Sequence, residues 1–286
     1  MKTQRYETDQ INTASIIRVP AADHNADVPS AVVRQFRSQA HEWAVFIFLY
    51  NEGPKISHQL MRFPTIGERN FDVLVGDDGS TDDCASDKLM NEFSVSARVA
   101  LPQNLGLSAN MKAGLRWLLI ETSYRGVVFM NGNNKDDPEA ISRFIERMEA
   151  GYDYVQGSRF LPGGESVNTP MIRRWAIRFV HAPLFSLVAH RRMTDTTNGF
   201  RAFSLRFLRD PRIDIFQSCF QKYELEQYLA CKAIRLGFRT CEIPVRRSYS
   251  GARGQLCARA DTKVRFGTGH LLLLKPIADL MLGRYR

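Results

Sequence analysis

Two adjacent carboxylates at the end of an apolar run are the first residues in this chain that could do chemistry. Asp77 and Asp78 follow Val73–Gly76 and precede Gly79 and Ser80. Carboxylates in this position can accept hydrogen bonds from a base N–H or from ribose hydroxyls, and the small residues after them let a ligand approach the backbone. The alternative is a solvated acidic turn with a helix N-cap, because Ser, Thr and Asp are preferred caps.

Apolar runs of strand length alternate with helical stretches over the first half of the chain. We predict strands at 44–50, 71–76, 98–101 and 126–130, a helix after the first strand, and a helix at 109–120. This alternation favours an α/β fold with a mainly parallel sheet, in which ligands bind outside the carboxyl ends of the strands. The polar or Gly-rich loops at four successive strand ends therefore predict a ligand cleft. These loops carry Asn51-Glu52, Asp77-Asp78, Asn104 with Gly106, and Asn131 to Lys135.

The chain is predicted to have one main domain, residues 43–265, between two shorter segments. Residues 1–42 are predicted to be an extension with a helix over 31–41, and residues 266–286 an amphipathic C-terminal helix that packs on the domain or docks on a membrane. Within the main domain we also predict a strand at 154–158, a helix at 223–237 and a late strand at 240–245.

The composition is that of a globular protein with an anionic partner. The 286 residues are 44% hydrophobic and 24% charged, and the formal net charge of +9 favours a nucleotide, a phospholipid surface or a nucleic acid as partner. The five cysteines are scattered without CxxC spacing, which predicts free thiols rather than a zinc site or disulfides. No run has the ~18–20 apolar residues of a membrane span and no signal core is present. We expect a protein of the cytoplasm, or one that rests on the inner face of the cytoplasmic membrane.

Two basic segments could contact the anionic partner. Residues 170–190, a helical stretch with a bend predicted at Pro183, combine Arg173 and Arg174 with aromatic and aliphatic side chains. This pattern suits either a membrane interface or packing on the sheet. Residues 246–265 carry six basic residues against one acid, which suits either a phosphate-binding loop or a solvated loop.

Several function classes are disfavoured by missing motifs. A dinucleotide dehydrogenase and a P-loop enzyme would carry GxGxxG or GxxxxGK[ST], and neither motif is present. A sugar nucleotidyltransferase usually has a Gly-rich, Arg-containing loop after its first strand, and Tyr50–Pro54 does not match one. A nucleic-acid partner is not expected, because no recognition motif for one is found.

Seven motifs in this chain resemble those of family 2 glycosyltransferases in order and spacing, most closely the branch similar to dolichol-phosphate mannose synthase. The resemblance implies a GT-A fold, an αβα sandwich with a Rossmann-like nucleotide-binding half and an acceptor-side half. It implies an inverting transferase that moves a sugar from a nucleoside diphosphate sugar to a polyprenyl phosphate or a growing cell-envelope glycan. The motifs are Leu49–Glu52, Val75–Asp82, Asn104–Gly106, Asn131–Glu139, Gly157–Arg159, Thr197–Arg201, and Gly237 with Glu242–Val245.

The resemblance also implies roles for individual residues. Glu52 and Asp77 would contact the nucleoside, with Asp78 nearby, and Arg159 would lie near the phosphates. The predicted nucleotide-sugar site consists of Leu49, Tyr50, Asn51, Glu52, Asp77, Asp78, Ser80, Asn104, Gly106, Lys112, Asn131, Gly132 and Asn133. The predicted acceptor or phosphate site consists of Arg173, Arg201, Arg247, Arg253 and Lys263.

The metal motif departs from the family pattern. The Asp-x-Asp of the family falls at Asn131 and Asn133, and amide oxygens attract Mg²⁺ or Mn²⁺ less than carboxylates do. Three interpretations stay open. A metal binds weakly through Asn133, Asp136 and the pyrophosphate, or Lys135 supplies the positive charge instead. In the third, the protein binds a nucleotide sugar with weak or no turnover.

The acceptor decides whether a base is needed. A lipid phosphate is already anionic, so arginines such as Arg159 would only position it, and it would be reached by surface docking or through a membrane partner protein. A sugar hydroxyl needs a general base, for which Asp195 is the first candidate, followed by Glu224 and Glu226. The alternative role for Asp195 is to stabilise a turn.

Overall fold

The computed structural model of the protein describes residues 15–19, 28–65, 67–249 and 268–285. Its strands are β1 (Ser15–Val19), β2 (Ala31–Gln35), β3 (Trp43–Leu49), β4 (Asp72–Asp77), β5 (Ala97–Ala100), β6 (Gly126–Asn131), β7 (Tyr154–Ser158), β8 (Glu165–Val167), β9 (Arg201–Ser204), β10 (Thr240–Pro244) and β11 (Arg246–Ser248). Its helices are α1 (Lys55–Leu60), α2 (Asp87–Glu92), α3 (Leu107–Glu121), α4 (Ile141–Glu149), α5 (Met171–Ala176), α6 (Ala182–Ala189), α7 (Leu205–Leu208), α8 (Glu224–Arg235) and α9 (Thr268–Met281).

Within the described residues, nine strands form one sheet in the order β1-β2-β5-β4-β3-β6-β9-β7-β10. The central strand β3 pairs in parallel with β4 and β6, β5 is parallel to β4, and β10 is parallel to β7. Strands β2 and β9 run against their neighbours. The predicted α/β fold with a mainly parallel sheet is therefore confirmed, and β8 and β11 form a separate parallel pair.

Helices cover both faces of this sheet because the side chains of β3 alternate between two cores. Phe46 and Phe48 belong to the core that also holds residues of α3, α6 and α8. Val45 and Ile47 belong to the opposite core, with residues of α1, α2 and α4. All seven residues of β3 are buried, as expected for a strand covered on both faces. This is the αβα sandwich that the sequence predicted.

The helix predicted over residues 31–41 is wrong, since β2 occupies its first half. Ala31 and Val33 are buried whereas Val32 is 44% exposed, so burial follows the two-residue period of a strand. The pairing of β2 with β1 and β5 satisfies the hydrogen-bonding groups of the β2 backbone. This pairing outweighs the local preference of these residues for a helix. Two strands of the predicted extension thus lie in the main sheet, while the boundaries at residues 42 and 265 stay predictions.

The stretch 170–190 is helical, as predicted, and has an irregular turn just before Pro183, while the bend predicted at Pro183 stays a prediction. Residues Ile177–His181 form a turn of π-helix in which the Ala182 N–H donates to the Ile177 carbonyl. Pro183 follows this turn within the same continuous helical stretch, where it has no N–H to donate to the Phe179 carbonyl. Within the part of the chain that is described, no helix has the length and apolar character of a membrane span. The described cysteines are free thiols, as predicted, and Cys257 lies outside the described residues.

Candidate active site

A cavity of about 660 Å³ opens at the carboxyl ends of β3, β4 and β6. This is the edge of the sheet at which the polar loops predicted a cleft. Two of the predicted residues, Arg253 and Lys263, lie outside the described part of the chain. The predicted residues that line the cavity are Leu49, Tyr50, Asn51, Glu52, Asp78, Asn104, Gly106, Asn131, Asn133, Lys135, Arg173 and Arg247.

Asp78 joins two walls of the cavity. Its Oδ1 accepts a hydrogen bond from the Leu105 N–H at 2.8 Å, and its Oδ2 accepts one from the Gly106 N–H at 2.9 Å. Gly106 has a φ of +94° at the N-terminus of α3, a backbone conformation that favours glycine. The carboxylate therefore fixes the loop before α3 against the end of β4.

Asp77 and Ser80 do not line the cavity; they build the turn behind it. Asp77 Oδ1 accepts from the Ser80 N–H at 2.9 Å, and Ser80 Oγ accepts from the Asn51 N–H at 3.1 Å. Gly79 between them has a φ of +68°, and a Cβ there would lie 2.4 Å from the backbone of Gln103. The turn thus positions Asn51, and the contact between Asp77 and a nucleoside stays a prediction.

Three more predicted residues lie behind the walls. Lys112 is 1% exposed, and its Nζ donates to the Gln217 carbonyl at 2.8 Å. Arg201 is also 1% exposed, and its guanidinium donates to the Asn198 carbonyl at 2.7 Å. A Cβ at Gly132 would lie 2.0 Å from the side chain packed beside it. The structure brings none of these three to the cavity.

Arg159 and Asp195 form a buried, two-pronged ion pair. Arg159 Nε lies 2.6 Å and Nη2 2.8 Å from the two carboxylate oxygens, and both side chains are 1% exposed or less. Burial alone would raise the pKa of Asp195, but Arg159 outweighs burial and holds that pKa below its usual range. A carboxylate with two such bonds, outside the cavity lining, is unsuited to taking a proton from a substrate. These contacts do not support the predicted role of Asp195 as a base.

Among the three acids considered as bases, Glu226 is the one that lines the cavity. Its side chain is 12% exposed and lies 3.6 Å from the Arg201 Nε. Glu224 instead accepts from the backbone N–H of Lys222 at 2.6 Å, at the start of α8. If the acceptor were a sugar hydroxyl, the geometry would favour Glu226 over Asp195 and Glu224.

Positively charged side chains surround Tyr249 in the lining of the cavity. Lys135 Nζ lies 5.0 Å, Arg173 Cζ 5.6 Å and Arg247 Cζ 5.7 Å from the centre of its ring. The Tyr249 hydroxyl accepts from Arg159 Nη1 at 3.4 Å. Burial alone would raise the pKa of Tyr249, but the three arginines outweigh it and lower that pKa to about 8. We define the cationic wall of the cavity as Lys135, Arg173 and Arg247 with Tyr249 between them, and its charge suits phosphate groups.

The sequence did not point to Tyr249 as a site residue. The available signal was its place among arginines in the basic segment that follows the late strand. Further lining residues that were not predicted are Lys55, Leu107, Asn110, Thr197, Gly199, Tyr223 and Gln227.

The loop after β6 fits a divalent metal poorly. Asp136 is fully buried, and both of its oxygens lie 2.5 Å from Arg247 Nη1. Asp137 stands at the N-cap position before Pro138, yet its carboxylate accepts a hydrogen bond from Arg62 at 2.7 Å and caps no N–H. Among the described residues, no three His, Cys, Asp or Glu side chains are grouped to hold a metal. The weak metal site predicted from Asn133 and Asp136 is not supported by these contacts.

The helix that carries Arg173 also carries an exposed apolar face. We define this apolar face as Met171, Ile172, Trp175, Phe179, Val180, Leu184 and Leu187, which are between 37% and 66% exposed. The rings of Trp175 and Phe179 stack with their centres 4.6 Å apart. Four exposed arginines accompany the face, and the sequence from 166 to 194 contains no Asp or Glu. These arginines are Arg174, Arg178, Arg191 and Arg192.

Comparison with known proteins places this geometry in a family. A family model described as Glycosyl transferase family 2 matches residues 44–212, more than half of the chain. The chain belongs to glycosyl transferase family 2. The resemblance inferred from the sequence motifs is thereby confirmed, and the chain is a glycosyltransferase.

The relatives of this family 2 glycosyltransferase include enzymes named for polyprenyl phosphates. It is 33% identical over 180 residues to the undecaprenyl-phosphate mannosyltransferase of Micrococcus luteus, covering 61% of this chain and 70% of that protein. It is 30% identical over 178 residues to the polyprenol monophosphomannose synthase of Mycolicibacterium smegmatis, covering 60% of this chain and 65% of that protein. The second alignment thus spans less than two thirds of its relative.

Solved structures show the same fold. Glucosyl-3-phosphoglycerate synthase from Mycobacterium tuberculosis, in complex with Mn²⁺, UDP and glucosyl-3-phosphoglycerate, has a TM-score of 0.58 to this family 2 glycosyltransferase. The similarity covers 86% of this chain and 80% of the other at 15% sequence identity. The predicted GT-A fold is confirmed by this likeness.

Proposed function

We propose that this glycosyltransferase moves a sugar from a nucleoside diphosphate sugar to the phosphate of a polyprenyl phosphate at a membrane surface, as a step in cell-envelope glycan synthesis. One observation carries the proposal. Arg173 lines the cavity, while Trp175 and Phe179 on the same helical segment belong to the exposed apolar face. A lipid phosphate has an anionic head and an apolar tail, and this segment offers a contact for each.

The two walls of the cavity suit the two ends of the donor. Asn51, Glu52 and Asn104 offer amide and carboxylate groups to a base and a ribose. Lys135 and Arg247, on the other wall, offer positive charge to the diphosphate. The names of the two polyprenyl relatives support a phosphate acceptor, since this chain shares about a third of its aligned residues with them.

The reaction would be a single displacement with inversion. An oxygen of the acceptor phosphate forms a bond to the anomeric carbon, and the bond from that carbon to the β-phosphate oxygen breaks. The electron pair of the broken bond stays on the nucleoside diphosphate, whose added charge the cationic wall stabilises. No proton moves, because the attacking oxygen is already anionic. Arg159, which was predicted near the phosphates, does not line the cavity; held by Asp195, it would act indirectly by keeping Tyr249 in place.

The apolar face suits a membrane that contains anionic lipids. Amphipathic helices with aromatic and basic residues lie in the plane of the interface, and each arginine near an anionic surface adds about 1 kcal/mol of attraction. The exposed Trp175, Phe179 and Leu187 would enter the headgroup region, with Arg174 and Arg178 at the phosphates. We therefore propose peripheral association with the inner face of the cytoplasmic membrane.

A second candidate function is nucleotide-sugar binding with weak or no turnover. The amides of Asn131 and Asn133, where the family has carboxylates, favour it. A sugar hydroxyl is a further candidate acceptor, because Glu226 lies in the cavity as a possible base.

A transfer assay with a panel of donors and acceptors separates these functions. The protein would be incubated with labelled UDP-, GDP- and dTDP-sugars and with undecaprenyl phosphate or a glycan in detergent. Label that enters the organic phase as an acid-labile sugar phosphate is the expected result. Transfer to the glycan alone, or donor binding without transfer to any acceptor, would overturn the proposed acceptor or the proposed turnover.

A further inference from the structure

We infer that the cationic wall, and Lys135 in particular, takes the place of a divalent metal at the donor diphosphate. This inference rests on the proposed function, because it concerns how the same site neutralises the donor. It predicts that nucleotide binding and sugar transfer do not need an added metal ion.

The first reason is that the carboxylates of the loop are already used. Asp136 is bound through both oxygens to Arg247, and Asp137 is bound to Arg62. Magnesium and manganese need hard and preferably charged oxygen ligands. Releasing Asp136 for a metal would leave the guanidinium of Arg247 buried without its carboxylate, which is strongly unfavourable.

The second reason is that amide oxygens are weak metal ligands, and one of the two already accepts a hydrogen bond within the loop. Asn133 Oδ1 accepts from the backbone N–H of Lys135 at 3.3 Å, so this oxygen stabilises its own loop. Asn131 lines the cavity, but it brings a neutral oxygen where the family brings a charged one. Two neutral ligands attract a dication much less than two carboxylates do.

The third reason is the position of Lys135. It follows Asn133 by two residues, lines the cavity and is 6% exposed. The loop is held on both sides, because the Lys135 carbonyl accepts from the Ser248 N–H at 2.8 Å and the Asn134 N–H donates to Gln59 Oε1 at 2.8 Å. The backbone that carries Lys135 is therefore held on both sides, and its side chain lines the cavity next to the two asparagines of the motif.

The fourth reason is that other cations reinforce this position. Lys135, Arg173 and Arg247 all lie within 6 Å of the ring of Tyr249. Fixed positive groups in a site with little water stabilise developing negative charge without reorganising during the reaction. Such groups supply to a departing diphosphate the same electrostatic stabilisation that a metal ion supplies.

The test measures binding of nucleosides and nucleoside diphosphates to the full chain by calorimetry. Each of UDP, GDP and dTDP would be titrated in EDTA and again in Mn²⁺. We expect the diphosphate that binds to do so in EDTA, with less than a threefold gain from Mn²⁺. The variants K135A and K135M should weaken diphosphate binding by about 10- to 100-fold, as expected for one charge-assisted contact, and leave binding of the matching nucleoside unchanged.

Two matched variants sharpen the test. Lys88→Ala removes an exposed lysine of α2 outside the cavity and should leave binding unchanged. Adding N131D and N133D to K135A restores the carboxylate pattern and removes the competing charge, so this triple variant should regain affinity only in Mn²⁺. Thermal unfolding of each variant checks that it is folded.

The outcomes separate the two claims. Two results would overturn the inference that Lys135 replaces the metal ion while leaving the proposed function in place. They are binding of the diphosphate to wild type only in Mn²⁺, and equal binding by wild type and K135M in EDTA. Regained affinity of the triple variant in EDTA would also count against it. If no diphosphate binds with or without Mn²⁺, the proposed function fails and this inference fails with it.

Discussion

Asp136 and Arg247 lie 111 positions apart in the sequence and form a buried ion pair in which Arg247 Nη1 is 2.5 Å from both carboxylate oxygens. The pair joins the loop after β6 to β11, which the backbone bridge between the same two residues reinforces. Burial alone would lower the pKa of Arg247, but Asp136 outweighs burial and raises it, so the guanidinium stays charged. The pair occupies both oxygens of a carboxylate that could otherwise bind a metal. It also ties the residue next to Lys135 to β11.

Asp136→Asn should lower the free energy of unfolding by about 3–5 kcal/mol, because it leaves the arginine buried without its carboxylate. Denaturant titration at neutral pH measures this loss. The control is Arg125→Gln, which removes an ion pair with Glu42 whose side chains are 56% and 66% exposed. An exposed pair contributes at most about 1 kcal/mol. Equal losses in both variants would show that the buried pair has no special role.

Tyr249→Phe should change how nucleotide affinity depends on pH. Burial raises the pKa of Tyr249, but Arg247, Arg159 and Arg173 lower it to about 8, and Lys135 also faces the ring. Above that pH a phenolate would place negative charge beside the donor phosphates, so wild-type affinity for the diphosphate should fall. The phenylalanine variant should lack this fall.

Calorimetry between pH 7 and 9, in two buffers with different ionisation enthalpies, detects the proton taken up on binding. The same group also affects stability. Its folded pKa lies below the unfolded value of about 10, so its contribution is present above pH 10 and is lost as the pH falls through 8. Identical pH profiles of wild type and Tyr249→Phe would contradict the proposed arrangement.

Replacing Trp175 and Phe179 together by alanine should weaken binding to vesicles of phosphatidylglycerol and phosphatidylcholine by at least tenfold. Both side chains are 57% exposed, so their removal from the folded protein should leave its melting temperature nearly unchanged. Sedimentation with vesicles measures the loss. Met61→Ala is the control, because Met61 is 62% exposed but lies outside the apolar face. A double variant that binds as well as wild type would rule out this face as the membrane contact.

Glu226→Gln distinguishes the two kinds of acceptor. With a polyprenyl phosphate no base is needed, so kcat should stay within about threefold of the wild-type value. With a sugar hydroxyl, loss of a general base would lower kcat by about 10²- to 10⁴-fold. Steady-state kinetics with each acceptor gives the answer. A large loss with the lipid phosphate would contradict the proposed displacement without proton transfer.

The sequence predicted the parts of the fold that local patterns determine. Val45 to Leu49 form a continuous apolar run, and such a run requires cover on both faces wherever the chain places it. Residues 31–35 were predicted as helix because their partners, β1 and β5, are brought to them only by the folded chain. Tertiary pairing of this kind is invisible to a local pattern.

The same limit explains which site residues were predicted. Asn51 and Asp78 follow strands directly, so the topology of a parallel sheet was enough to bring them to one edge. Asp195 was the first candidate for a base toward a sugar hydroxyl, because a sequence does not show that Arg159, 36 positions away, occupies both of its oxygens. Tyr249 was not predicted, because it lies in the site only through the pairing of β11 with the loop after β6.

The central claim is that the cavity transfers a sugar to a polyprenyl phosphate. Mass spectrometry of the lipid extracted from vesicles of undecaprenyl phosphate, after incubation with each nucleotide sugar, tests it most directly. We predict a species heavier than undecaprenyl phosphate by one transferred sugar, formed in EDTA by wild type and reduced at least tenfold in K135M. Vesicles whose undecaprenyl phosphate keeps its mass with every donor, although one donor binds the protein, would contradict the claim.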